Sequence, residues 1–540
     1  MQRPMLPPLF FFLFFFFFFP AIALDGDISG GGDIEYWCST TPHPEPCRYY
    51  LRGRGRSPKD KEEFYRRSLR VAFDLSIHAR RQLRQRGPAC RRSARARTAW
   101  LDCWKLYTNT VLQLNRTLAD AASRCGSATA FDSQTWLSAA LTNLGTCLKG
   151  FNDTGASVAV IAPVTRCNVS ELISNCLAIN RHAASAAARN ASAGAAAPDH
   201  PPTWTTLFDT GSGHRRLLQS SQQANLVVAQ DGSGNFRTIK EALDAAAARS
   251  QNRASSRFVI YVKAGVYNEI LQVVSSLINL VMIGDGIGRT IITGSRSVAN
   301  GYTTLSSATF SVFGDGFIAR GITFRNTYGL GSQAVALMSA SDRSAFYRCS
   351  IEGYQDTLYV YSQRQFYREC DIYGTIDFVF GNAAAVLQRC NILARLPRHG
   401  EADVITAQGR SDPNQNTGIV IQRCTIRAAA DLARDRSGVR SYLGRPWMQY
   451  SRTVYMQSYI AGLIDPAGWL PFNGGFALDT LYYAEFRNTG AGSRMSRRVR
   501  WAGYHVVARP SVVRPFTVSR FIAGRTWIPA TGIPYDPTFD

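Results

Sequence analysis

"FYRCSIEGYQD" at residues 346–356 and "FYRECDIYGTID" at 366–377 are two copies of one unit. Cys349 and Cys370 stand 21 residues apart, and Asp356 and Asp377 keep the same separation, each seven residues after its cysteine. Fainter echoes follow in "VLQRCNI" (386–392) and "IVIQRCTI" (419–426). A repeat of about twenty residues made of short β-rich runs predicts a solenoid whose coils stack on one another. Strands in such a stack lie roughly 4.8 Å apart, so equivalent side chains on successive coils become neighbours. Two carboxylates held that close cannot both ionise cheaply, and one is driven toward being an acid. The repeat thus predicts a site for acid–base or nucleophilic chemistry at Asp356 and Asp377.

Outward from this pair the texture holds from about Asn225 to the C-terminus, as in "RFVIYVKAGVYNE", "LVMIGDGIGRTIITGS" and "RTVYMQSYI". "TIKEALDAAAAR" (238–249) is the helical exception, placed to cap the exposed β edge at the end of the solenoid. "GDGIGR" (284–289) lacks the strand–loop–helix setting of a phosphate loop and reads as a coil turn. Before residue 190 the chain is rich in Ala, Leu and Arg, with apolar residues at helical spacing: Phe64, Leu69, Val71, Leu75 and Ile77 fall near one face. This predicts a bundle of about four long helices over 24–190. Residues 191–223 read as a linker, and its Arg215-Arg216-Leu217-Leu218 is either a proteolytic processing site or a solvated basic pair.

The first 23 residues pair Arg3 with eleven apolar residues (Leu9 to Phe19) and then Ala21-Ile22-Ala23, the pattern of a cleaved secretory signal. That run is shorter than the ~20 residues a membrane span needs. Secretion permits disulfides among twelve cysteines, and four glycosylation sequons stand at Asn115, Asn152, Asn168 and Asn190. The formal net charge of +23 favours a polyanionic partner, and outside the cell an acidic polysaccharide fits better than nucleic acid. No cysteine or histidine cluster has metal-ligand spacing, and no cofactor is expected.

Residues 225–540 resemble the plant pectin methylesterases. The resemblance rests on "GVYNE" (265–269), "QAVAL" (333–337), "YQDTLY" (354–359), "DFVFGNAA" (377–384), "ITAQGR" (405–410) and "LGRPW" (443–447), in the family's order. The N-terminal part resembles the inhibitor-like pro-region that many such enzymes carry. The resemblance implies an all-β right-handed parallel β-helix preceded by an all-α four-helix bundle. It implies hydrolysis of galacturonate methyl esters in pectin (methyl-esterified homogalacturonan), in the cell wall. Proteinaceous inhibitors and a subtilisin-like processing protease are the protein partners it suggests, and a monomer is expected.

By the same resemblance Asp377 would be the nucleophile, kept ionised by Arg445. Asp356 would be the general acid and then the base, and Gln355 and Gln333 would donate to the oxyanion. Thr304, Trp447, Trp469, Tyr359, Phe380 and Tyr442 would contact substrate, although a buried Trp469 would instead be core. Expected disulfides are Cys38–Cys47, Cys103–Cys147 and Cys370–Cys390, the last rivalled by an unlinked cysteine ladder. Cys90, Cys125, Cys167 and Cys176 are extra, with Cys167–Cys176 a plausible short loop. The chain departs from the family in "NTYGLGSQ" (326–333), one residue short, and in Met338 after "QAVAL". A polygalacturonase or pectate lyase would need more acids or calcium-binding groups than this pair supplies. A non-catalytic pectin-binding or inhibitory wall protein would not need the full Asp, Gln and Arg set.

Overall fold

A computed structural model of the chain describes residues 33–53, 56–90, 93–122, 129–191, 224–250, 257–435 and 438–539. The signal sequence, the linker with its dibasic site, and Cys125 lie outside them.

The repeat becomes a coil of three strands. One coil runs through Ser344–Tyr347, Ser350–Glu352 and Leu358–Val360, and the next through Arg364–Arg368, Asp371–Gly374 and Val379–Gly381. Stacking yields three parallel sheets, of eleven, seven and eight strands among the described residues. The result is a right-handed parallel β-helix. Registers between these coils are in step: Ala345 pairs with Phe366, Ile351 with Ile372 and Leu358 with Val379. Alternate residues point inward, so Phe346, Ile351, Leu358 and their counterparts fill a dry interior.

Between the first and second strand of each coil the chain turns on a residue with positive φ. Arg348, Glu369, Arg389 and Arg423 occupy this corner, with φ between 50° and 54°. Such backbone costs non-glycine residues on the order of 1 kcal/mol or more, so packing on both sides must hold it. The Ile239–Ser250 helix caps one end as expected, burying Ile239, Ala242 and Ala246 in the β-helix core. Thr238 and Glu241 exchange reciprocal hydrogen bonds at its start, a capping box.

Upstream, Lys61–Cys90, Ala94–Ala122, Ala130–Asp153 and Val169–Ala191 are the four long helices, with short helices Ile34–Ser39 and Pro44–Leu51 before them. Disulfides Cys38–Cys47 and Cys103–Cys147 tie this bundle. Asn115 and Asn152 are exposed, whereas Asn168 spends its amide on Glu171 (2.6 Å). The bundle does not stand apart. Its apolar core runs without a break into Leu305, Val335, Met338, Tyr359, Tyr361 and Phe380, on the outer face of the seven-stranded sheet.

Two cysteine expectations are corrected. Cys370 and Cys390 are not bonded: with Cys349 and Cys424 they form a buried ladder of free thiols. Three of the thiols are satisfied by the coil before, Cys370 Sγ donating to Phe346 O (3.4 Å), Cys390 to Tyr367 O (3.5 Å) and Cys424 to Leu387 O (3.3 Å), while Cys349 Sγ donates to Tyr347 O (3.6 Å) of its own coil. Cys167 and Cys176 are also free, because Cys176 faces the bundle core while Cys167 Sγ donates to Pro163 O (3.3 Å). Alkylation in denaturant without reductant should therefore label Cys349, Cys370, Cys390 and Cys424. Peptide mass spectrometry showing a Cys370–Cys390 linkage would contradict this ladder.

Candidate active site

Asp356 and Asp377 sit two residues before the paired strands Leu358–Val360 and Val379–Gly381, so the in-step register makes them equivalent on adjacent coils. Both have positive φ, 61° and 52°, and Asp356 N donates to Ile376 O (3.0 Å) across the coils. The loops are thus fixed by backbone, and both carboxylates emerge at the same edge of the seven-stranded sheet.

Their surroundings differ. Arg445, one residue past strand Ser441–Gly444, grips Asp377 with both arms: Nε to Oδ1 at 2.8 Å and Nη2 to Oδ2 at 2.6 Å. Its backbone N–H is itself held by Thr406 O (2.9 Å), and the exposed Phe472 ring lies 4.7 Å from its guanidinium carbon. Among the described residues no arginine grips Asp356. Burial pushes both carboxyls up, and for Asp356 the charge of Asp377 adds to burial, setting it well above the usual range. For Asp377, Arg445 works against burial, so its rise is smaller. Arg445 thus favours the ionised form of Asp377, and the rise at Asp356 is the larger of the two.

Gln333 and Gln355 are half-buried on neighbouring coils, their carbonyls accepting from Val298 N (3.0 Å) and Ala334 N (3.2 Å). Among the described residues neither side-chain amide is engaged elsewhere. Tyr359 and Phe380 stack at 4.1 Å, and Trp447 meets Phe380 edge-on at 5.9 Å, giving one aromatic wall. Gly409 makes room for it: a Cβ there would come within 2.7 Å of the Trp447 ring.

One expected contact residue lies elsewhere. Trp469 is core, 1% exposed, stacked on Tyr483 at 4.1 Å with its indole N–H directed to Glu485 (3.3 Å). It cannot present a face to a sugar. Tyr442 makes no ring contact with that wall among the described residues and has Asp465 and Arg440 as charged neighbours.

The bundle supplies groups that sequence reasoning missed. From helix Ala130–Asp153, Asp153 Oδ2 accepts from Thr304 N (3.0 Å) and Oγ1 (2.8 Å), occupying the expected substrate threonine. Lys149, bonded to Asp153 at 2.6 Å, lies 5.7 Å from the Trp447 ring and acts electrostatically on both Asp356 and Asp377. Asp102 accepts from Thr303 Oγ1 (2.5 Å), Asn143 from Tyr361 OH (2.8 Å), and Asp132 meets Arg364 at 2.6 Å. "CLKGFND" (147–153) shows a Lys–Asp pair at i, i+4, which on a helix reads as an ordinary surface pair. No local signal tells that it faces another domain.

The pectinesterase family model matches residues 225–525, and the plant invertase/pectin methylesterase inhibitor model matches 32–179. Pectinesterase 2 of Citrus sinensis is 52% identical over 508 residues, 93% of this chain and 94% of that protein. Probable pectinesterase/pectinesterase inhibitor 17 of Arabidopsis thaliana is 51% identical, covering 92% of this chain and 93% of its own length. The solved pectin methylesterase from carrot, 52% identical, superposes with a TM-score of 0.57 over 58% of this chain and 98% of its own.

A raised carboxyl stabilises the fold fully below its unfolded pKa of about 3.9, and that contribution is lost as pH rises. Asp356→Asn should therefore raise the melting temperature of the full chain at pH 7 and leave it unchanged near pH 3. A melting temperature lowered equally at both pH values would show that Asp356 is not held neutral by its surroundings.

Proposed function

Because the chain belongs to the pectinesterase family and is a pectin methylesterase, we propose that Asp377 is its nucleophile. The carboxylate attacks the C6 ester carbonyl, and Gln333 and Gln355 donate N–H groups to the oxygen that becomes negative. Asp356 gives its proton to the departing methoxide, releasing methanol and leaving an acyl-aspartyl anhydride. Asp356, now ionised, takes a proton from water as that water attacks, which frees the galacturonate and restores both groups. The observation that carries this reading is the bidentate Arg445 grip on Asp377 and its absence on Asp356. An aspartate attacks only as an anion, and an acid donates only when protonated. Trp447, with Tyr359 and Phe380, offers the sugar an apolar face, and Thr304 a hydroxyl.

The bundle, spanning 24–190, holds the β-helix domain of 224–540 inactive in cis. Asp153 takes the place at Thr304 that a galacturonate carboxylate would take, while Lys149 covers Trp447. Removal of the signal after about Ala23, cleavage in the 191–223 linker near Arg216-Leu217 by a subtilisin-like protease, and release of a monomer into the wall complete the scheme. Among the described residues no helix is long and apolar enough to cross a membrane.

Methanol release from highly methylated pectin by segment 224–540 tests the chemistry. Asp377→Ala should abolish it, and Gln355→Ala should lower kcat about 10²-fold; full activity in Asp377→Ala would remove the proposed nucleophile.

The full chain should be much less active than the segment. A tethered domain has an effective concentration in the mM range, and Asp153→Ala should raise full-chain activity about tenfold. Equal activity of the full chain and the segment would sink inhibition in cis.

A further inference from the structure

Away from the aspartate pair, a cavity of ≈ 630 Å³ lies where the bundle meets the β-helix. Four arginines line it, Arg181 from the bundle and Arg410, Arg452 and Arg520 from the β-helix domain, and no aspartate or glutamate does. Unbalanced charge of this kind is costly to gather unless an anion is meant to enter.

The four are not spent on carboxylates. Arg410 turns its guanidinium to the carbonyls of Gln415 (2.9 Å), Tyr450 (3.4 Å) and Pro413. Among the described residues Arg181 reaches only the amide oxygen of Asn414 (3.4 Å). Arg452 lies 6.0 Å from the Phe516 ring and, like Arg520, forms no ion pair among the described residues. Burial pulls the Arg452 pKa down to about 10, with Arg181 adding to the effect. The near carboxylate, Asp412, is taken by Ser174 Oγ (2.5 Å) and Asn414 N (2.7 Å).

The cavity also has a sugar-binding wall and a route to the groove. Tyr482 stacks on Phe516 at 5.4 Å, and both rings line it. A short turn, closed by Ser451 N donating to Met448 O (3.0 Å), leads from Trp447 of the aromatic wall to Tyr450 and Arg452 in the cavity, with Tyr450 N donating to Arg410 O (3.0 Å). A volume of this size accommodates a small ligand such as one or two sugar rings.

We propose that this cavity is an acidic-saccharide site, which takes free carboxylates of de-esterified galacturonan in the arginine cluster and a sugar ring against Tyr482 and Phe516. The ligand is the anionic product of the esterase reaction. The site lies outside the catalytic pair and draws residues from both domains.

The test is calorimetric titration of the full chain with hexagalacturonate, which carries no ester to hydrolyse, beside inorganic phosphate at matched ionic strength. Hexagalacturonate should bind, and Arg452→Gln and Arg181→Gln should each weaken it about tenfold, the loss expected for a charge-assisted hydrogen bond. Arg181 is exposed on the bundle, so its replacement leaves the β-helix fold untouched, and melting curves verify both variants. Unchanged affinity in both variants would overturn the site. Phosphate binding as tightly as hexagalacturonate would overturn its saccharide character.

Discussion

Backbone hydrogen bonding between adjacent coils in exact step is the constraint from which the other features follow. Each strand has its equivalent on the next coil as partner, as Leu358 has Val379 and Tyr359 has Phe380. A one-residue slip would turn the interior face outward, so the apolar filling of the coils locks the register. The locked register sets Asp356 beside Asp377, builds the Tyr359–Phe380 stack from two coils, and lines up four thiols in the core. It also sustains positive φ at both aspartates, which an isolated loop would relax.

On that frame the proposed chemistry rests on an asymmetry between two equivalent positions. Both carboxyls are buried, which alone would neutralise both. Arg445, delivered from a strand two further along the seven-stranded sheet than that of Asp377, breaks the tie. Its fork fits one carboxylate only, and the other then feels both desolvation and a neighbouring negative charge. Phe472 lies against the guanidinium and Thr406 O fixes the backbone, so the grip is oriented as well as charged.

The bundle packs on the surface that carries the proposed substrate contacts. Its apolar core continues into Tyr359, Tyr361 and Phe380, and its polar side chains satisfy groups around them. Arg364, 1% exposed, is shared between Asp342 of its own domain and Asp132 of the bundle. Such contacts are strong while water is excluded and weaken once the interface opens, because exposed ion pairs are worth little.

The sequence by itself determined the coil repeat, the equivalence of the two aspartates and the helical bundle, because periodicity and motif order are local properties of the chain, while the two bundle disulfides were legible only through the family resemblance. Tertiary structure alone decided what depends on side chains meeting from distant segments. It buried Trp469 against Tyr483, left Cys370 and Cys390 unlinked with their thiols satisfied by preceding carbonyls, and brought Lys149 and Asp153 to the groove. None of these has a periodic signature. A tryptophan in a motif reads alike whether it faces a sugar or a tyrosine, and a helical Lys–Asp pair reads alike on a free surface or against another domain. Only the packing of one domain on the other distinguishes them.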